Sequence, residues 1–178
     1  MKHAGNGHEP VATYLQLYHF EDDGVIPNSK YPVLHYLDVF MLGTPDMDML
    51  MEERFAQHNW SNTWRNGVYP FHHYHSITHE VMGIYAGSAI LQLGGKKGKE
   101  IEVQEGEVLV IPAGVAHKKI SADAAFRVLG AYPGAANYDL IDAEASLKEA
   151  ALQRIKAVPI PDNDPVLGEK QGLCRLWK

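Results

Sequence analysis

The 178-residue sequence predicts a mainly β domain, a sandwich or barrel, with one helix before the sheet region and one after it. Three observations predict it. Between Val68 and Val128, short apolar runs are separated by turns at Gly87, Gly94-Gly95, Gly98, Gly106 and Gly114, the texture of an antiparallel sheet stack. Helical periodicity is confined to one segment on either side of that stretch. No internal repeat is present, so one barrel is expected and not two.

The elements follow in order. The first ten residues are polar and Gly-rich. Val11–Phe20 alternates apolar, aromatic and polar residues and reads as a strand, closed by the turn Glu21–Gly24. A second turn at Pro27-Asn28-Ser29 leads to another extended run, Val33–Met41. Thr44-Pro45-Asp46 then supplies a helix start, with Thr44 as N-cap and Pro45 as the first helical residue. Met47, Leu50, Met51, Arg54 and Phe55 recur at helical spacing, which predicts a helix near 45–58 with its Met-rich stripe in the core. Ile84–Leu93, Glu100–Val103, Val108–Ile111 and Phe126–Ala131 are the strands of the sheet region. Asp142 suits an N-cap, and Leu147, Ala151 and Ile155 share a face, which predicts a second helix near 142–157. The Pro-rich tail is expected to lie irregularly over the barrel.

Composition narrows the function classes. Apolar residues make up 46% and charged residues 21%, as in an ordinary soluble domain, and the net charge is −6. Lys96, Lys97 and Lys99 sit among glycines as a solvated turn, so no basic face for nucleic acid is expected. No run approaches the length needed to span a bilayer. The N-terminus lacks the apolar stretch of a secretory signal, and the lone Cys174 makes no internal disulfide. A cytoplasmic protein is the expectation.

The chemistry concentrates in two segments, 67–80 and 111–117. Side chains two apart on a strand share a face, so His73 and His75 point the same way, about 6–7 Å apart along the strand. His72 and Tyr74 face the other way. Glu80 begins the next strand after a turn, and His117 arrives from a separate strand behind Pro112 and Gly114. One ion can collect His73, His75, Glu80 and His117. Imidazole with carboxylate suits first-row divalent metals better than calcium or magnesium. His79 competes with Glu80 for the fourth position, since the turn length is open. Tyr69 and Phe71 share the phase of His73, and Met82 and Ile84 that of Glu80; these four are the expected pocket lining, with Arg65 as the candidate grip for a charged substrate.

These residues resemble the two motifs of the cupin superfamily. Gly67, His73, His75, Glu80 and Gly87 match the first motif (67–87), and Gly106, Pro112, Gly114 and His117 the second (106–121). All nine stand at the family's spacing, where typical usage of roughly one in twenty per residue makes chance negligible. The family's final Asn is Ser121 here, at a position that does not ligate metal. The resemblance implies a single cupin domain over 1–178: a jelly-roll β-barrel with an N-terminal strand extension. It implies that His73, His75, Glu80 and His117 hold one divalent transition metal, with Gly87 favouring Glu80 over His79. Nickel, iron or manganese is expected ahead of zinc. It also implies a homodimer, with the N-terminal strand added to the partner's sheet. The expected function is a metal-dependent enzyme of dioxygenase or oxidase type on a small organic molecule. Isomerisation or epimerisation of a small sugar, or non-catalytic binding, are the alternatives.

Overall fold

The computed structural model describes residues 14–143 and 148–178. The chain runs β1 (Tyr14–Phe20), β2 (Ser29–Leu37), α1 (Met47–Gln57), β3 (Trp60–Asn66), β4 (His73–Tyr74), β5 (Glu80–Ala86), β6 (Ser88–Leu93), β7 (Lys99–Gln104), β8 (Val108–Ile111), β9 (His117–Ala122), β10 (Arg127–Pro133), β11 (Ile141–Asp142), α2 (Lys148–Ala157), β12 (Asn163–Asp164), β13 (Gly168–Glu169) and α3 (Leu173–Leu176). One sheet has the order β1-β2-β8-β5-β10-β3, the other β11-β4-β9-β6-β7. The two pack face to face as a jelly roll. No strand belongs to both among the described residues, so the expected barrel is a sandwich that hydrogen bonds do not close.

The alternation of β5 and β8 builds two cores from one sheet. Met82, Ile84, Leu109 and Ile111 point inward and meet Leu91, Leu93, Ile101 and Val103 of the other sheet. Val81, Val108 and Val110 point outward and meet Met47, Met51 and Phe55 of α1 with Val166, Leu173 and Trp177 of the C-terminal segment. Both faces are covered, so β8 is apolar throughout and buried throughout. α1 lies close because Gly83 has no side chain: a Cβ there would sit 2.6 Å from Met51 Sδ. Replacing fully buried Met51 by Ala would cost about 2–5 kcal/mol.

Several boundaries differ from the sequence expectation. α1 starts at Met47, and Thr44 does not cap it. Its hydroxyl donates instead to Met41 O at 2.6 Å, which closes a turn, and Asp46 takes the cap position in the left-handed region with φ 52°. The second strand spans Ser29–Leu37, not Val33–Met41. The run Ile84–Leu93 breaks at Gly87, whose φ is 69° and where a Cβ would come within 2.4 Å of Asp123 Oδ1. Edge strand β3 was not expected, because its sequence WSNTWRN shows no alternation. Asp142 pairs with His73 in β11 instead of capping a helix, and α2 begins at Lys148. Leu147 and Val11–Thr13 lie outside the described residues. The tail, expected to be irregular, forms the β12–β13 hairpin and α3. Trp177 seals it, donating Nε1–H to Pro32 O at 2.9 Å and stacking on Tyr31. Among the described residues no helix is long and apolar enough to cross a membrane.

Candidate metal centre

β4 is only two residues long, and it sits between β9 and β11 with His73 opposite His117. His117 begins β9. The turn before it is tied to the site, because Gly114 N–H donates to His75 O at 2.8 Å. That turn needs glycine: φ is 95°, and a Cβ would lie 2.3 Å from Asn28 O. One ring nitrogen each of His73, His75 and His117 lies within 4.8 Å of the others, and all three residues are buried.

The main chain sets every tautomer. His73 Nδ1–H donates to Phe71 O (3.1 Å), His117 Nδ1–H to Val115 O (3.2 Å), and His75 Nδ1–H to Asp139 O. A carbonyl only accepts, so each Nε2 carries a free lone pair. Glu80 Oε2 stands 3.2 Å from His75 Nε2 and 3.4 Å from His117 Nε2. Lone pairs therefore face each other, and Glu80 Oε2 is buried with no hydrogen-bond donor. A cation relieves such a cluster, either a metal ion shared by all four atoms or a proton on His75 Nε2. This donor set fits a divalent transition metal, with nitrogen and carboxylate ligands whose outer nitrogens are fixed as metal-bound histidines require.

The charges follow the same logic. Burial, with His117 close by, pushes His73 down to about 3, so its imidazole stays neutral. Burial also disfavours a charged His75, but the Glu80 carboxylate outweighs it and raises the ring above its ordinary value. For Glu80, burial alone would raise the carboxyl; His75 and His117 outweigh it and hold it well below the carboxylate range. Glu80 Oε1 accepts from Tyr132 O–H at 3.0 Å, and Tyr132 in turn accepts from Trp64 Nε1–H at 2.8 Å.

His79 turns away from this centre. Its Nδ1 accepts from Ala113 N–H (2.9 Å), its Nε2–H points to Pro159 O (3.2 Å), and its ring packs on Trp177. Both nitrogens are occupied, so His79 does not compete with Glu80. A cavity of about 350 Å³ opens onto the three imidazoles, lined among others by Trp64, Tyr69, Met82, Tyr132, Tyr138 and Leu140. Of the expected lining, Tyr69 and Met82 are there. Ile84 is fully buried in the intersheet core, and Phe71 does not line the cavity but stacks on Tyr69 and meets the His73 ring edge-on. Arg65 borders the cavity with its guanidinium committed to Asp48 (2.8 Å) and Glu52 (2.7 Å). Sequence reasoning missed Tyr132, Tyr138 and Asp139, which carry no local signal. It also missed Lys119, which does carry one: it stands two residues past His117, on the same face of β9.

No family model matches the chain. Uncharacterized protein YjlB of Bacillus subtilis (strain 168) is 42% identical over 164 residues, 91% of this chain and 96% of the relative. Similar solved structures include an 11S globulin from Wrightia tinctoria (18% identity, TM-score 0.37, 45% of this chain and 22% of that one). Others are acireductone dioxygenase from Bacillus anthracis, solved with a cadmium ion in its active centre (16%, 0.39, 53% and 64%), and vicilin from tomato, Solanum lycopersicum (16%, 0.40, 71% and 32%). The chain thus spans 22%, 64% and 32% of these solved proteins, a part of each. A relative matched at 42% identity over nearly its whole length shows that the chain belongs to the family of Bacillus subtilis YjlB, and both motifs meet at one histidine centre inside a jelly roll of cupin type.

Proposed function

We propose that the chain is a metal-dependent enzyme of dioxygenase or oxidase type, acting on a small organic molecule in the cavity above the histidines. The observation that carries this is the set of opposed lone pairs: three Nε2 atoms and Glu80 Oε2, buried together with no donor among them. His73, His75, Glu80 and His117 are the proposed ligands of one divalent ion, with nickel, iron or manganese ahead of zinc. The ion, when bound, supplies a Lewis acid or redox centre with positions left open for substrate. Tyr132 holds Glu80 in place, and Tyr69, Tyr138 and Leu140 form a partly apolar rim that favours a compact ligand. We also read residues 1–178 as one domain working in the cytoplasm as a homodimer. Its edge strand β1 leaves Tyr14, Leu15 and Leu17 exposed, which supports pairing with a second copy.

The test is elemental analysis by plasma mass spectrometry of protein purified without chelator or nickel affinity resin, beside His75→Ala. Close to one transition metal per chain, lost in the variant, is the expected result. Oxygen uptake with small hydroxy acids, diketones or aldoses then separates the enzyme from a binding module. No metal in either protein would overturn the reading.

A further inference from the structure

The cavity holds one cation that the metal-centre reading does not use. Lys119 follows His117 by two residues on β9, so both side chains enter the same cavity. Its backbone N–H donates to Tyr69 O at 2.9 Å, which fastens this part of β9 to the loop that forms the cavity's rim. Its ammonium lies over Gly67: a Cβ built there would meet Lys119 Nζ first, at 4.0 Å, and nothing closer. Among the described residues, no carboxylate lies in ion-pair range of this ammonium. Arg65, the other cation at the cavity, is held by Asp48 and Glu52. A half-buried lysine beside Trp64, Val68 and Tyr69 thus faces the same space as the three imidazoles, its charge uncompensated.

We propose that Lys119 is the anion-binding residue of this cavity, and that the substrate is a small carboxylic acid whose carboxylate pairs with the Lys119 ammonium while a neighbouring oxygen of the same molecule faces His73, His75 and His117. The proposal rests on the metal-centre reading above and adds the substrate class to it. One point charge matches one carboxylate, whereas a phosphate dianion calls for more cations than this wall supplies. The volume of about 350 Å³ sits near the lower bound for ligand pockets, which limits the acid to a few carbons or one ring. Gly67 adjoins the arrangement: a Cβ there would stand in ordinary contact with the ammonium at 4.0 Å, so a longer side chain would reach it.

The experiment is a binding titration by calorimetry and Trp fluorescence, with metal content measured on every sample. The probes are glycolate, lactate and pyruvate, their neutral amides, and methyl phosphate. The proteins are wild type, Lys119→Met, Lys119→Arg and Gly67→Asp, each as purified and after chelation. A hydrogen-bonded ion pair predicts that carboxylates bind wild type about tenfold or more tighter than the amides. Lys119→Met is expected to abolish that preference with metal content unchanged, and Lys119→Arg to keep most of it. Gly67→Asp, which sets a competing carboxylate beside the ammonium, is expected to mimic the Met variant. Carboxylate binding that survives Lys119→Met, amides that bind equally well, Lys119-dependent binding of methyl phosphate in place of the acids, or no binding at all would each overturn the proposal. Lys119-dependent carboxylate binding in proteins that hold no metal as purified would sink the metal reading and leave Lys119 standing.

Discussion

Tyr132→Phe deletes one oxygen atom from the buried chain Trp64–Tyr132–Glu80. Tyr132 is 1% exposed and Glu80 2%, so water does not replace the lost donor on Glu80 Oε1. A buried acceptor left without its partner costs about 1–3 kcal/mol, and a charged one lies at the upper end. For a chain of this size, that lowers the melting temperature of the metal-free protein by roughly 2–12 °C. The carboxylate also loses what fixes its angle, and loss of such an orienting bond typically weakens metal binding by about 10–100-fold. The assay is thermal unfolding of metal-free and metal-loaded protein, with affinity measured by chelator competition. The loaded variant is expected to melt lower by more than the metal-free one, because it loses both contributions. Unchanged melting in both forms and an affinity within twofold of wild type would refute the idea that Tyr132 positions Glu80.

Three further outcomes are expected. Gly130→Ala places a Cβ 2.1 Å from the Trp64 indole, so the ring must leave; Trp fluorescence should change and metal affinity fall toward the Tyr132→Phe value, although no ligand is touched. Asp164 is fully buried and accepts from Tyr36 O–H (2.6 Å) and from the N–H groups of Val166, Leu167 and Leu173 (2.9 Å each). Asp164→Ala should cost about 3 kcal/mol or more in denaturant unfolding, the consequence of orphaning several buried donors at once. His79, held down by burial to about 4, binds its proton later than the unfolded chain does as pH falls. The sign follows: stability present above about pH 6.5 is lost progressively between there and pH 4, at about 1.4 kcal/mol per pH unit. Metal-free His79→Gln should show a flatter dependence in that window, and a slope equal to wild type would count against a neutral buried His79.

The candidate metal site was the most legible part of the chain because its residues sit at fixed spacings in two short segments. Alternation along one strand puts His73 and His75 on one face, whatever the rest of the fold does. The helix near 45–58 was legible for a similar reason, since Met47, Met51 and Phe55 repeat at its period and bury together. Its start was not, because Thr44 had a carbonyl within reach in a local turn, and sequence does not rank two such partners. β3 was invisible: an edge strand half exposed along its length keeps no apolar alternation. The short pairing of β4 with β11 joins residues about seventy positions apart, and it took Asp142 from the helix it was expected to cap. Tyr132, Tyr138 and Asp139 arrive at the site by chain topology, which no local pattern encodes. Arg65 borders the cavity, but its partners are not written in its own neighbourhood; Asp48 and Glu52 reach it from α1.

All three imidazoles are anchored to main-chain carbonyls, those of Phe71, Val115 and Asp139. A carbonyl survives any substitution of the residue that bears it. Phe71 and Val115 can therefore change identity, so long as the backbone keeps its course, without releasing the histidines they steer. The cavity walls carry no such duty toward the three rings. Leu140 and Lys119 are free to drift or be redesigned, and one centre can be offered a succession of different ligands while its imidazoles are held unchanged by the backbone.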